Sequence, residues 1–216
     1  MLIIFDVEGV LFDAEYLPML AEKVNKEKDI WEITKKGIQG TINWEEGLKK
    51  RIDLLKGLSH KTCLEVADSL PIMTGAKEVC RALKEAGWKI LAISGGFTIM
   101  TDRLKKELNL DYVYSNELIF KDNKLEGVEI SIDSDKAKSA KIKIEEWNQK
   151  QEDIVVVVDG ANDIKLFDIC GLGIAYRAQD LVKDLATETL EEKNLAKIIG
   201  IINSHYNLKL ECPTMV

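Results

Sequence analysis

Two acidic residues stand one position apart where the first apolar segment of the chain ends. The sequence "LIIFDVEGVLFD" (residues 2–13) leaves its apolar run at Asp6 and carries Glu8 two positions later. Side chains two positions apart on a strand point the same way, so Asp6 and Glu8 are expected to project together from the strand's carboxyl end. Neighbouring carboxylates repel each other, and a cation or a proton transfer is the common reason for such a pair. The alternative is a strand end with two solvated acids.

The segment "ISGGF" (residues 93–97) predicts a turn that binds an anion. The hydroxyl of Ser94 and the N–H groups of Gly95 and Gly96 can surround an anion at the start of a helix. A Ser-Gly-Gly turn also occurs without any function, so this motif alone is weak.

A second acidic segment, "VDGAND" (residues 158–163), places Asp159 at the end of another predicted strand. Asn162 and Asp163 follow closely, and on their own these residues are equally typical of a turn followed by a helix cap.

A lysine-rich segment, "SDKAKSAK" (residues 134–141), opens a predicted helix. A solvated basic face is the usual interpretation of such a segment. In combination with the other three segments, however, it completes a set of carboxylates for a hard cation, an anion cradle and a lysine. These are the groups that phosphoryl transfer requires.

The elements that must position these groups alternate along the chain. Buried strands are predicted from the continuous apolar runs at residues 2–7, 89–94, 154–159 and 172–176. Helical spacing of apolar residues follows, from Ala76 to a stop at Gly87 and from Ala137 to Trp147. Residues 118–130 resemble a hairpin that turns at Asp122-Asn123. Together these patterns predict a doubly wound α/β fold with a parallel sheet, whose ligands bind at the carboxyl ends of the strands.

Residues 14–72 differ from the rest because they are helix-like throughout and contain no buried-strand pattern. We expect a small helical cap domain over residues 14–72 and a core domain formed by residues 1–13 and 73–216. Such a cap would shape a substrate pocket and exclude water. The alternative is an ordinary pair of helices packed on the sheet.

Composition excludes several classes of protein. The 216 residues are 46% apolar and 31% charged, which is ordinary for a globular protein, and the net charge of −7 argues against a nucleic-acid partner. No signal peptide or membrane anchor is predicted, and we expect a cytoplasmic protein. The four cysteines are scattered and the two histidines are isolated, so the chemistry is expected to use carboxylates, hydroxyls and amines.

The four segments, in this order, resemble the motifs of the haloacid dehalogenase superfamily of phosphohydrolases, and within it the phosphoserine phosphatases. The resemblance covers essentially the whole chain. It is strengthened by "EEGLKKRIDLLKGL" (residues 45–58) and "NLDYVYSNELIFKDNKLEG" (residues 109–127). It implies a Rossmann-like sheet with a small helical cap.

The resemblance also implies a role for each motif residue. Asp6 would attack phosphorus to form an aspartyl phosphate, and Glu8 would act as the general acid and base. The implied metal site binds Mg²⁺ through Asp6, the backbone carbonyl of Glu8 and Asp159, and Asp163 would orient the waters of the metal. The groups implied to bind the phosphoryl oxygens are Ser94, Gly95, Lys136 and Asn162, with Lys138 as the rival of Lys136.

The same resemblance implies L-phosphoserine as the substrate. Glu15 and Arg51 stand where the family binds the amino and carboxylate groups, and Trp44 stands in place of a pocket aromatic. Salt bridges within the cap are the alternative role of Glu15 and Arg51. Most relatives carry Asp in place of Glu8, so transfer of the phosphoryl group to homoserine, a broader phosphatase and a non-catalytic binding protein stay open. The expected partner is a small phosphorylated metabolite, and the chain is expected to be a monomer or a homodimer.

Overall fold

A seven-stranded sheet forms the centre of the protein, for which the computed structural model describes residues 1–39 and 41–212. The strands are β1 Leu2–Phe5, β2 Lys89–Phe97, β3 Tyr112–Lys121, β4 Lys124–Glu129, β5 Ile154–Val158, β6 Leu172–Tyr176 and β7 Glu188–Leu190. Their order across the sheet is β4-β3-β2-β1-β5-β6-β7. The β3–β4 pair is antiparallel and the other pairs are parallel.

Helices lie in every connection between consecutive strands except the hairpin of β3 and β4. The α-helices are α1 Tyr16–Ala21, α2 Glu27–Ile38, α3 Trp44–Leu55, α4 His60–Ser69, α5 Ala76–Glu85, α6 Thr98–Glu107, α7 Lys136–Glu146, α8 Asp180–Lys183 and α9 Ile198–Tyr206. The 3₁₀ helices are Glu22–Val24, Gln151–Asp153, Ala161–Ile169 and Leu195–Lys197. Among the described residues, no helix combines the length and the apolar character needed to cross a membrane.

The central strands are buried on both faces, as their continuous apolar sequences predicted. In β1, Ile3 and Phe5 pack into one hydrophobic cluster while Leu2 and Ile4 pack into another. Because side chains alternate along a strand, the two clusters lie on opposite faces of the sheet. The predicted α/β fold with a mostly parallel sheet is therefore confirmed.

The position of β1 explains where a ligand can bind. From β1 the chain builds one side of the sheet through β2 and β3, and it returns to the other side of β1 with β5. At such a switch point the connections leave in opposite directions, which opens a crevice beyond the carboxyl ends of the strands.

The first strand is shorter than its sequence predicted. The predicted run of residues 2–7 ends as a strand at Phe5, because the Val7 carbonyl turns back to accept hydrogen bonds from the Leu11 and Phe12 N–H groups, at 2.8 Å each. Asp6 still donates its N–H to the carbonyl of Val157 on β5, at 3.0 Å. Asp6 and Glu8 therefore leave the sheet on a tight loop, and the strand alternation that we expected to align them does not apply.

The predicted hairpin is confirmed, and it contacts the helical segment of residues 14–72. Asp122 and Asn123 form its turn with φ values of 49° and 60°, a conformation that Asn and Asp tolerate better than most residues. The backbone of β4 then bonds to the loop between α3 and α4. Gly57 N–H donates to the Leu125 carbonyl and Leu125 N–H donates to the Leu58 carbonyl, at 2.8 Å each.

Arg103, on helix α6, binds the end of α4 and so attaches the helical segment to the rest of the protein. The Nη1 atom of Arg103, on α6, lies 3.2 Å, 2.6 Å and 3.1 Å from the carbonyl oxygens of Ala67, Asp68 and Leu70. These carbonyls lie at the end of α4, where few N–H groups of the helix remain to bond to them. The segment with α1 to α4 is therefore tied to the sheet at both the β4 edge and the end of α4.

Candidate active site

Four charged side chains meet in the crevice beside β1. Lys136, the first residue of α7, places its Nζ 2.6 Å from Asp6 Oδ1 and 2.8 Å from Asp163 Oδ1. Oxygens of Asp6, Asp159 and Asp163 all lie within 4.8 Å of one another. The exposed fraction of Asp6 is 7%, that of Lys136 is 6% and that of Asp163 is 1%, so the charges interact in an environment that contains little water.

The geometry distinguishes the two candidate lysines. Asp135 caps α7 by accepting the Ala137 N–H at 3.2 Å, which starts the helix with Lys136 directed toward Asp6. The Lys138 side chain is 65% exposed and pairs with Asp133 at 2.9 Å. Lys136 is therefore the lysine of the site, and Lys138 belongs to the surface.

The cluster has an excess of negative charge. Burial, followed by repulsion from Asp6, raises the pKa of Asp163 from 3.8 to about 7. Burial, Asp6 and Asp163 also raise the pKa of Asp159 well above its usual value. Burial alone would lower the pKa of Lys136, but Asp163 and Asp6 raise it, so this lysine stays protonated. One ammonium group faces three carboxylates, which is an arrangement that favours an additional cation.

The donor set fits a hard divalent metal ion. Such ions prefer carboxylate oxygens. The Asp163 Oδ2 atom is buried without a hydrogen-bond partner among the described residues, although buried oxygens are normally paired. Gly9 leaves space at the cluster, because a Cβ atom at this position would collide with Asp159 Oδ2. Its φ of 83° also suits glycine.

The Ser-Gly-Gly segment lies next to this cluster as the irregular carboxyl end of β2, which continues to Phe97, so the turn predicted for residues 93–97 is wrong. Gly96 N–H donates to Ser94 Oγ at 2.9 Å, and Asn116 Nδ2 donates to the Gly95 carbonyl at 2.9 Å. The peptide between Gly95 and Gly96 is therefore held at both ends. A Cβ atom at Gly95 would lie 3.2 Å from the Trp44 ring, so this glycine lets the aromatic side chain approach the end of β2.

Glu8 is held from the helical segment. Its Oε1 accepts the backbone N–H of Tyr16, the first residue of α1, at 2.6 Å. Burial is the main cause that raises the pKa of Glu8, and the Asp6 charge adds to it. A raised pKa lets this carboxyl hold a proton nearer neutral pH, as a general acid must.

A cavity of about 70 Å³ joins this cluster to the helical segment. The lining on one side is formed by Asp6, Gly95, Gly96, Lys136, Asp159 and Asn162, and on the other by Glu15, Thr34, Trp44 and Arg51. Ser94 and Asp163 are buried, each with 1% exposed. The structure thus brings every predicted site residue to one place.

Glu15 and Arg51 both line this cavity, and their charges act on each other without direct ion-pair contact. Neither forms an ion pair with another described residue. Burial, Glu8 and Asp159 raise the pKa of Glu15 well above its usual value, while burial lowers the pKa of Arg51. The alternative that we considered from the sequence, salt bridges within the helical segment, is wrong for this pair.

Two polar residues of the site were not predicted from the sequence. Asn116 is fully buried, and its Oδ1 accepts the N–H groups of Ser131 and Ile132 at 3.0 Å and 3.1 Å. It thereby connects the carboxyl end of β2 to the loop that leads to Lys136. The sequence gives little signal for Asn116, which stands between Ser115 and Glu117 in "YVYSNELIF"; the second missed residue is Thr34.

Comparison with known proteins agrees with this geometry. A family model for haloacid dehalogenase-like hydrolases matches residues 1–167. The phosphoserine phosphatase of Archaeoglobus fulgidus is 37% identical over 205 residues, and the match covers 93% of this chain and 59% of that protein. The phosphoserine phosphatase of Methanocaldococcus jannaschii is 36% identical over 206 residues, and the match covers 93% of this chain and 97% of that protein.

A solved structure shares the fold closely. It is described as a phospho-aspartyl intermediate analogue of phosphoserine phosphatase and matches with a TM-score of 0.89 at 34% identity, covering 93% of this chain and 97% of that one. The prediction made from the four motifs is confirmed. This chain belongs to the haloacid dehalogenase-like hydrolase family and, within it, is a relative of the phosphoserine phosphatases.

Proposed function

We propose that the protein is a metal-dependent phosphomonoesterase that hydrolyses L-phosphoserine to serine and inorganic phosphate. One observation carries this proposal: the cavity that contains Asp6 and Lys136 also contains the unpaired charges of Glu15 and Arg51. Phosphoserine has a phosphate, an ammonium and a carboxylate group, and each finds a group of opposite charge or a hydrogen-bond donor in this cavity. The two relatives described above are both named phosphoserine phosphatases.

In the first half of the reaction, an Asp6 carboxylate oxygen attacks phosphorus and the bond from phosphorus to the serine oxygen breaks. Glu8 donates its proton to that serine oxygen, so that serine leaves as a neutral alcohol. The Ser94 hydroxyl, the Gly95 N–H, the Lys136 ammonium and the Asn162 side chain bind the phosphoryl oxygens, whose charge spreads in the transition state.

In the second half, a water molecule attacks the phosphorus of the aspartyl phosphate and gives its proton to Glu8. The bond from phosphorus to Asp6 breaks, inorganic phosphate leaves, and both carboxyl groups return to their starting states. Mg²⁺ is the ion that we propose for the site, held by Asp6, the Glu8 backbone carbonyl, Asp159 and Asp163. When bound, it neutralises charge on the transferring phosphoryl group.

Glu15 and Arg51 select the amino-acid part of the substrate. Arg51 binds the carboxylate through its N–H groups, and Glu15 binds the ammonium group. A phosphate ester without these groups leaves both buried charges unpaired, which disfavours its binding.

We infer that residues 14–72 act as a cap domain over a core formed by residues 1–13 and 73–216. The contact from Tyr16 N–H to Glu8 and the contact of Trp44 with Gly95 support this role, because both bring groups of the segment to the reacting centre. Closure of the segment would exclude water that competes with the hydrogen bonds of the site. A cytoplasmic location and a monomeric or homodimeric state stay predictions.

Phosphate release from L-phosphoserine, phosphoethanolamine, glycerol phosphate and p-nitrophenyl phosphate tests the proposal. Each assay uses EDTA-treated protein with and without Mg²⁺, and compares the wild type with Asp6→Asn. Asp168→Asn is the matched control, because Asp168 is exposed and outside the cavity.

We expect Mg²⁺-dependent hydrolysis that favours L-phosphoserine, is lost in Asp6→Asn and is retained in the control. Equal rates on all four esters would refute the assignment of substrate. Release that begins only after homoserine is added would replace hydrolysis by transfer to an alcohol.

A further inference from the structure

A threonine occupies the buried face of a helix that is otherwise largely charged. In α2, Ile30 is fully buried, and Thr34 follows four positions later on the same face with 2% of its surface exposed. Threonine is a weaker helix former than a straight-chain residue, because its branched side chain restricts χ1 in the helix. An apolar residue would fill the same face, so the hydroxyl of Thr34 calls for a partner.

The partner of Thr34 is Arg51 on α3. Arg51 Nη1 donates to Thr34 Oγ1 at 3.2 Å, and Arg51 Nε donates to the Gly47 carbonyl at 3.3 Å. The two acceptors lie on different helices, so they fix both the position and the plane of the guanidinium group. Thr34 and Arg51 line the same cavity.

These two hydrogen bonds leave part of the guanidinium group available. A guanidinium group has five N–H donors. Nε and one N–H of Nη1 are used, and no hydrogen bond within the described chain involves Nη2. Nη2 and the remaining N–H of Nη1 can therefore form two parallel hydrogen bonds to a carboxylate.

We propose that Thr34 is a specificity-determining positioning residue, which orients Arg51 so that its unused N–H groups bind the carboxylate of the substrate. This inference rests on the proposed function. An arginine side chain that is already ordered loses less conformational freedom when the ligand binds than one that must first be ordered. Thr34 acts through Arg51, so its effect is confined to substrates that carry a carboxylate.

The test compares two substrates that differ by that group. L-Phosphoserine and phosphoethanolamine share the phosphate ester and the amine, and phosphoethanolamine lacks the carboxylate. Thr34→Val keeps the shape of the side chain and removes the hydroxyl, while Thr34→Ser keeps the hydroxyl. Thr62→Val is the matched control, because Thr62 lies on α4 and does not line the cavity.

We expect Thr34→Val to raise KM for L-phosphoserine by roughly five- to tenfold, with kcat changed by less than about twofold, because binding of the carboxylate is weakened. Its kcat/KM for phosphoethanolamine should stay within about twofold of the wild type, because no carboxylate contact is lost. Thr34→Ser should restore KM. In an Arg51→Lys background, Thr34→Val should have no further effect, because the two residues act as one unit.

Two results would overturn the role of Thr34. One is an equal loss on both substrates, which indicates a packing role, and the other is an unchanged KM for L-phosphoserine. The proposed function is tested separately by the wild type. If the wild type does not prefer L-phosphoserine to phosphoethanolamine, the substrate assignment fails, and the proposed role of Thr34 fails with it.

Discussion

Replacement of Asp163 by Asn should stabilise the metal-free protein, and the gain should grow with pH. Asp163 is buried with 1% of its surface exposed, and burial and Asp6 raise its pKa from 3.8 to about 7. An acid whose folded-state pKa is raised contributes stability below its unfolded pKa. That contribution is lost as the pH rises toward the folded pKa. The amide side chain of the Asp163→Asn variant cannot ionise, so this loss disappears.

The size of the effect follows from the two pKa values. Linkage between 3.8 in the unfolded chain and about 7 in the folded chain gives a penalty of about 2 kcal/mol at pH 5 and about 4 kcal/mol at pH 8. For a chain of this length, each kcal/mol corresponds to roughly 2–4 °C in Tm. We therefore expect Asp163→Asn to raise Tm by roughly 4–8 °C at pH 5 and by roughly 8–16 °C at pH 8.

Thermal unfolding followed by circular dichroism, in EDTA at pH 5 and pH 8, measures the difference. Addition of Mg²⁺ should raise the Tm of the wild type more than that of the variant, because the ion binds the folded wild type and relieves its repulsion. Asp168→Asn, on the exposed side of the same 3₁₀ helix, should show no such dependence on pH. The argument that the cluster carries excess negative charge would be refuted if the variant were less stable than the wild type at pH 8, or if its gain in Tm were equal at both pH values.

Three other substitutions have expected outcomes. Asn116→Leu removes the hydrogen bond to the Gly95 carbonyl, so the inhibition constant for inorganic phosphate, measured by competition, should rise by roughly tenfold. Gly9→Ala places a Cβ against Asp159 in a backbone conformation that disfavours it, so Mg²⁺-dependent turnover should fall by at least about a hundredfold. Lys136→Met leaves buried carboxylates without their cation, so the metal-free protein at pH 8 should lose roughly 3–5 kcal/mol in denaturant unfolding.

The controls for these variants are also available in the chain. Lys138→Met, at the exposed neighbour of Lys136, should change stability by less than about 1 kcal/mol. Asn203→Leu removes an asparagine that also donates to a backbone carbonyl but lies outside the cavity, and it should leave phosphate inhibition unchanged. Unaltered phosphate inhibition in Asn116→Leu, full turnover in Gly9→Ala or unchanged stability in Lys136→Met would contradict the corresponding argument.

Patterns formed by neighbouring residues predicted most of the helices and strands. The run at 154–159 became β5, the spacing from Ala76 to Gly87 became α5, and the Asp122-Asn123 turn closed the hairpin. Such patterns work because burial on both faces, helical period and turn chemistry are each properties of a few neighbouring residues. The predicted end of β1 was wrong, because the strand stops where the Val7 carbonyl accepts hydrogen bonds from residues of its own loop.

The site itself was predicted less completely. Asp6 and Lys136 are separated by 130 positions, and periodicity cannot pair them; the order of the motifs and the family resemblance supplied that link. Thr34 and Asn116 were not predicted because each acts through a hydrogen bond to a residue on another helix or strand. A polar residue on a buried face is visible in a sequence only after the face is known to be buried.

The backbone contacts between β4 and the loop that joins α3 to α4 have a consequence for solubility. β4 is an edge strand, and an edge strand exposes unpaired N–H and C=O groups that can recruit strands of other molecules. Gly57 and Leu58 pair with Leu125 of this edge and His60 N–H pairs with the Asn123 carbonyl, so part of the edge is already occupied. If the helical segment detached here, the exposed edge of β4 could pair with strands of other molecules. We therefore expect substrate to enter by movement elsewhere in the segment, while this contact protects the protein from aggregation.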